Sequence, residues 1–215
     1  MLGLSLEDII ISLTAVLVGL TVHELAHAAV ALWLGDDTAK TQGRVTLNPI
    51  RHIDPVGFIL LVVAGFGWAK PVMIDRTKLR KPVRDDILIA LAGPASNAIL
   101  AVLLALALRL TLGLIPFGTQ QALRLTTTVF FSYISMNVAL ALFNLLPIPP
   151  LDGSHLITSP LLKRSPTHAA LLYRYGTFLL LAIVIAERLT KVDILPIGKA
   201  VNAVVRALLW LVGLG

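Results

Sequence analysis

Long apolar stretches, broken by short polar ones, dominate the order of residues. The first runs from about Ile9 to Leu34 and closes at Gly35-Asp36-Asp37. It is longer than the roughly 20 apolar residues that cross a bilayer core as a helix. Comparable stretches cover about Ile87–Leu112, about Leu125–Pro150 with a proline-rich end, about Ala169–Ala186 and about Leu195–Val212. Lys199 and Arg206 interrupt the last, which could instead lie in the interface. Between the first two, Thr41–Asn48 alternates weakly around Arg44, Val45, Thr46 and Leu47, the period of a short strand. Val56–Trp68 is apolar but short, and Gly57, Gly65 and Gly67 interrupt it. It reads as re-entrant backbone or a hairpin, tolerated at membrane depth only where protein or a cavity satisfies its polar groups. The pattern predicts an all-α polytopic membrane protein: about five transmembrane helices plus a membrane-associated β or re-entrant segment over about 41–72, all in one domain spanning 1–215.

Composition agrees. The chain is 57% hydrophobic and 14% charged, against about 25% charged in a soluble domain, so it cannot coat a globule in water. Its 215 residues leave no room for a sizeable soluble domain. No cysteine is present, which excludes disulfides and thiolate chemistry. The N-terminal stretch opens on Glu7-Asp8, lacks a basic leader and is too long for a signal peptide, so it reads as a retained helix.

The net charge of +6 sits mostly in loops, and no aromatic residues interleave with basic ones as a nucleic-acid surface requires. If Val56–Trp68 does not cross, Arg44, Arg51, the Lys70–Arg84 loop and Lys163-Arg164 share one side. The other side holds Glu7-Asp8, the Pro116 loop and a mixed patch of Glu187, Arg188, Lys191 and Asp193. The positive-inside rule makes the first side cytoplasmic. Trp33 and Trp68 read as interfacial anchors. Nothing in the pattern specifies an oligomer.

The candidate chemistry lies inside the first span. His23-Glu24-Leu25-Ala26-His27 is an H-E-x-x-H. On a helix, positions i and i+4 share a face, so both imidazoles can reach one metal and Glu24 can reach a water on it. A polar seam is the bland alternative, but each charged residue at the centre of a span costs about 2.5–3.5 kcal/mol. A metal is the natural partner for three such groups.

A catalytic zinc usually has three protein ligands and an open position. Candidates for the third are Asp36, Asp37, Asp54, Asp75, Asp85, Asp86, Asp152, His52, His155 and His168. Asp152 stands out because it follows Asn144 and three prolines, whose helix-breaking geometry needs a built site to satisfy the freed carbonyls. Depth agrees: His27 lies about 10 Å in from the cytoplasmic end of its helix, and Asn97 is comparably deep in the second span. Zn²⁺, one aspartate and one hydroxide also sum to zero charge, which a low-dielectric site favours. His155 reads as a polar loop residue with a small claim to the metal, His168 as an interface residue, and His52 as a loop residue with a smaller claim to catalysis.

The three motifs together are specific. H-E-x-x-H in a first span, Ala92-Gly93-Pro94-Ala95-Ser96-Asn97 in the second and Asn144-Leu-Leu-Pro147-Ile-Pro149-Pro150-Leu-Asp152-Gly153 after the third resemble the site-2 protease family of intramembrane zinc metalloproteases. The resemblance covers about Leu6 to Ser154. It implies one Zn²⁺ per chain held by His23, His27 and Asp152, with Glu24 as general base. It also implies that Asn97 and Asn144 support the site or hold substrate backbone, and that Gly43–Pro71 corresponds to the family's membrane-associated β segment. Many relatives carry a PDZ insertion that this sequence lacks, so it resembles a minimal member.

The expected activity is hydrolysis of peptide bonds in transmembrane segments of other proteins, in the cell membrane, with the active site toward the cytoplasm. The expected partners are a transmembrane protein substrate and membrane lipid, and not nucleic acid. The alternatives are a membrane metal-ion carrier and an inactive relative acting as a binder. A carrier would show inverted repeats, which are not visible, and has no use for Glu24.

Overall fold

The computed structural model describes residues 5–64, 67–114, 116, 118–190 and 192–215. Residues 65–66 of the Val56–Trp68 run, and Lys191 of the mixed patch, lie outside them. Among the described residues the architecture is all-helical: α1 (Leu6–Trp33), α2 (Thr38–Thr41), α3 (Pro55–Ala64), α4 (Pro82–Leu114), α5 (Gln120–Asn144), α6 (His155–Arg164), α7 (Pro166–Thr190) and α8 (Ile197–Leu211).

Four of these helices, α1, α4, α5 and α7 as far as Glu187, are long and apolar enough to cross a membrane. The fifth expected span is α8, with 15 residues. That is about 22 Å of helix against a hydrocarbon core of about 30 Å. Pro196 caps its start, and Gly213, at φ +76°, ends it. Its Val201 and Val205 pack on Ala105 and Leu108 of α4 and on Ile134 and Val138 of α5.

The core of the molecule is α1, α4 and α5 packed on one another. Ser5 starts α1 with a capping box: its Oγ accepts from the Asp8 amide, and the Asp8 carboxylate accepts from the Ser5 amide. Small residues let the backbones approach, as in membrane helix packing generally. Ala15, Gly19, Ala28 and Ala31 of α1 and Ala90, Gly93, Ala101 and Ala105 of α4 are buried.

The expected strand at Thr41–Asn48 does not form. The segment is the end of α2 followed by turns, and the one β pairing among the described residues is a bridge between Ile53 and Ala69. The alternation had no edge to pair with. Arg44 is buried while Leu47 is exposed, and the Arg44 guanidinium donates to the carbonyls of Arg51 and Lys70. Those bonds, the bridge and a Lys70 amide to His52 carbonyl bond of 2.8 Å tie together the two ends of the segment containing α3. The chain thus leaves and returns at one place. Glycine permits the close return: a Cβ on Gly57 would strike the Trp68 backbone, and one on Gly67 the Gly57 carbonyl.

Candidate metal centre

The helical register of α1 sets His23 and His27 one turn apart, with ring centroids 4.6 Å apart and edge to face. Against them runs α4, at Gly93. A Cβ there would lie 2.5 Å from His27 Nε2 and 2.6 Å from His23 Nε2, so only glycine allows the helix backbone to press on both rings. Next in sequence is Pro94, which has no amide hydrogen for the carbonyl one turn back. Just beyond it, the Ile89 carbonyl accepts from His27 Nδ1 at 2.7 Å.

His23 Nδ1 donates to Asn97 Oδ1 at 2.6 Å. A chain of amides decides that orientation. Asn137 Nδ2 donates to the Tyr133 carbonyl, which turns Asn137 Oδ1 toward Asn97 Nδ2 at 2.8 Å. Asn97 Nδ2 also donates to the Gly19 carbonyl at 3.0 Å, leaving its oxygen to face His23. Both histidines therefore carry their proton on Nδ1 and present a bare lone pair at Nε2, the arrangement metal-binding histidines show.

Asp152 completes the cluster. After α5 ends at Asn144, the chain folds back through its prolines into a short 3-10 turn at Asp152–Ser154. Gly153 permits the fold, since a Cβ there would meet the backbone carbonyls of Leu145 and Leu146. Asp152 Oδ2 comes 3.0 Å from His23 Nε2 and 3.5 Å from His27 Nε2, and the donor atoms of the three residues lie within 4.8 Å of one another. Ligands about 2.1 Å from a tetrahedral zinc are about 3.4 Å apart.

Asp152 Oδ2 is buried and accepts no hydrogen bond. Two imidazole lone pairs and a carboxylate oxygen aimed at one point are unfavourable unless a cation lies between them. The donor set is thus the right chemistry and spacing for zinc, and the wrong one for a hydrogen-bonded core. Of the ten candidates for the third ligand, Asp152 is the one the fold brings to the histidines.

Glu24 is buried beside them, and its Oε2 also has no partner. It lines a cavity of about 520 Å³ together with His23, His27, Asp152 and Asn144. The chain returning from α3 forms another wall through Trp68, Val72 and Ile74, and Leu180 of α7 contributes a third. Burial pulls the Arg44 guanidinium below its ordinary pKa, and the charge of Glu24 acts in the opposite direction.

The remaining expected residues fall elsewhere or do other work. Asn97 is fully buried, and its side-chain amide is bonded to His23, Gly19 and Asn137. Asn144 donates to the Leu140 carbonyl of its own helix at 3.0 Å and faces the cavity. His52 is buried outside that cavity with Nε2 2.9 Å from the Thr46 carbonyl, a contact within its own loop. His155 lines the cavity, but its Nδ1 lies 2.7 Å from Asp86 Oδ2.

Three residues were missed. Gly93 lay inside a quoted motif without a role. Asn137 is an amide in the middle of a span, which is itself a signal. Asp86, weighed only as a ligand, gathers His155, Ser159 and Arg76 around one buried carboxylate.

Residues 11–183 match the profile of Peptidase family M50. The chain is 50% identical over 144 residues, 66% of its length, to "Putative zinc metalloprotease YwhC" of Bacillus subtilis, covering 64% of that protein. It is 31% identical over 184 residues, 81% of its length, to "Putative zinc metalloprotease Rip2" of Mycolicibacterium smegmatis, covering 66% of it. It is 35% identical over 148 residues to "Putative zinc metalloprotease MJ0611" of Methanocaldococcus jannaschii, covering 69% of each chain. The chain thus spans just under two thirds of the first two relatives. No solved structure matches it at a significant level.

Proposed function

The chain belongs to peptidase family M50, the site-2 protease family, and on that premise we propose that it is an intramembrane zinc metalloprotease. It hydrolyses peptide bonds within or near transmembrane segments of other membrane proteins, the chemistry of regulated intramembrane proteolysis. One observation carries the reading: two histidines locked with Nε2 bare converge on an unsatisfied Asp152 oxygen, in a cavity that also holds Glu24.

His23, His27 and Asp152 would hold the zinc. When bound, it supplies Lewis acidity, polarising the scissile carbonyl and making water nucleophilic near neutral pH. Glu24 is the general base. As the water oxygen bonds to the carbonyl carbon, its carboxylate takes one proton and delivers it to the amine nitrogen when the C–N bond breaks. No internal hydrogen bond competes for its Oε2. Asn97 is a positioning residue that fixes the His23 ring. Asn144 is placed to hold substrate backbone at the cavity wall. The chain returning from α3 would receive an unwound substrate by strand addition.

Four helices of membrane-spanning length support a multi-pass setting, and the excess of basic residues in the loops on its side supports an active site facing the cytoplasm. A helical substrate must unwind before its carbonyl is reachable, so helix-breaking residues near the scissile bond are expected to speed cleavage.

The test is cleavage of a single-span substrate by the detergent-purified protein, compared with Glu24→Gln, each with and without a zinc chelator and with zinc content measured. Cleavage lost in Glu24→Gln while zinc stays bound supports the assignment. Cleavage that survives both substitution and chelation would refute it.

A further inference from the structure

A second cavity lies against the start of α4 and the side of α6, with a volume of about 880 Å³, within the range of ligand sites. Lys81 and Arg84 line it from the N-terminal end of α4, Lys163 from the last turn of α6. All three are exposed, and among the described residues none forms an ion pair. The nearby carboxylates are committed elsewhere. Asp85 accepts from the Lys81 backbone amide at 2.7 Å, and Asp86 is held by Arg76, His155 and Ser159. The cavity therefore has around it three cations that no ion pair neutralises.

Arg76 and Ser159, both bonded to Asp86, also line it, and the rest of the lining is apolar, from Pro82, Val83, Ile87 and Leu88 of α4 and Leu162 of α6. The order along α4 matters. Polar residues end at Asp86, and the membrane-spanning apolar run begins at Ile87. The cavity straddles that boundary, which is the level of lipid phosphates, with cations on the polar side and acyl-compatible side chains on the other. We propose that it binds an anionic phospholipid, with its phosphate among Lys81, Arg84 and Lys163 and its first acyl carbons along Ile87, Leu88 and Leu162. Charge complementarity selects the headgroup, and the apolar floor selects a lipid over a free anion. The site borders the catalytic cavity: Arg76 lines the first and bonds to Asp86, which lines the second.

Binding can be read without cleavage, so this proposal stands or falls apart from the proteolytic one. The purified full chain is titrated with phosphatidylglycerol or phosphatidylcholine of matched acyl chains, and retained lipid is counted by native mass spectrometry. Wild type is expected to retain phosphatidylglycerol at least tenfold better. Each cation near an anionic headgroup contributes about fivefold, so Lys81→Gln, Arg84→Gln and Lys163→Gln should each lose about that factor. The triple variant should lose the preference while keeping its zinc. If the triple variant does not fold, the single variants decide. Arg124→Gln, at the opposite end of the α4–α5 hairpin, should change nothing. Equal retention of both lipids by wild type, or an undiminished preference in the variants, would overturn the proposal. Displacement of the lipid by equimolar inorganic phosphate would overturn it in favour of a plain anion site.

Discussion

Gly93→Ala adds one methyl group to the middle of a helix and should remove the metal. Elsewhere in a helix the change is favourable, since alanine is preferred over glycine by about 1 kcal/mol. Here the new Cβ would lie 2.5 Å from His27 Nε2 and 2.6 Å from His23 Cε1 and Nε2. Ordinary contacts need about 3.5 Å, so both rings must retreat by about 1 Å. They cannot do so freely, because each is pinned through Nδ1, His23 to Asn97 and His27 to the Ile89 carbonyl. Retreat breaks those bonds and leaves buried polar groups unmet, at about 1–3 kcal/mol each. Losing one such support typically costs 10- to 100-fold in metal affinity. With two ligands displaced, the expected loss is about 100-fold or more. The assay is competition for zinc with a chromophoric chelator, alongside thermal unfolding and cleavage. Gly113→Ala, in the same helix, is the control: its Cβ would meet nothing closer than Arg109 at 3.6 Å, so zinc affinity should be unchanged. Wild-type zinc affinity in Gly93→Ala would refute the packing argument.

Other substitutions separate the parts of the site. Asn97→Ala frees the His23 ring and should weaken zinc about 10- to 100-fold, measured by the same competition. Arg44→Met releases the carbonyls of Arg51 and Lys70; it should lower kcat/KM for a transmembrane substrate while zinc content holds, and raise the rate of limited proteolysis between residues 53 and 70. Asp86→Asn deprives Arg76, His155 and Ser159 of their shared carboxylate. It should destabilise the fold by about 2–3 kcal/mol, read as a lower unfolding temperature, with zinc retained below the transition.

The candidate site was legible because chemistry inside an apolar span is expensive and therefore informative. His23, Glu24 and His27 follow from helix periodicity, and Asp152 from prolines that no ordinary helix end needs. Asn97 was legible as a site residue, with two roles left open, support of the site or a hold on substrate backbone. Whether an amide faces substrate or a histidine depends on what lies across from it, and Asn137 lies 40 residues away in sequence. His52 stayed open between shaping its loop and a smaller claim to catalysis for the same reason: a buried histidine and a reactive one have the same local sequence.

The sequence by itself determined the solvent, the helices and the two histidines that share a helix face, because length, hydropathy and i, i+4 spacing are properties of neighbouring residues. It overreached at Thr41–Asn48, where alternation alone cannot supply a partner strand; the last stretch, left open between a span and an interfacial helix, is a 15-residue helix between Pro196 and Gly213. The tertiary structure alone decided which aspartate meets the histidines and why Gly93 must be glycine. It also decided which nitrogen of each ring is free and where Asp86 gathers its partners. Those are distances between segments far apart in the chain, set by how closely α1, α4 and α5 pack, and no local pattern encodes them.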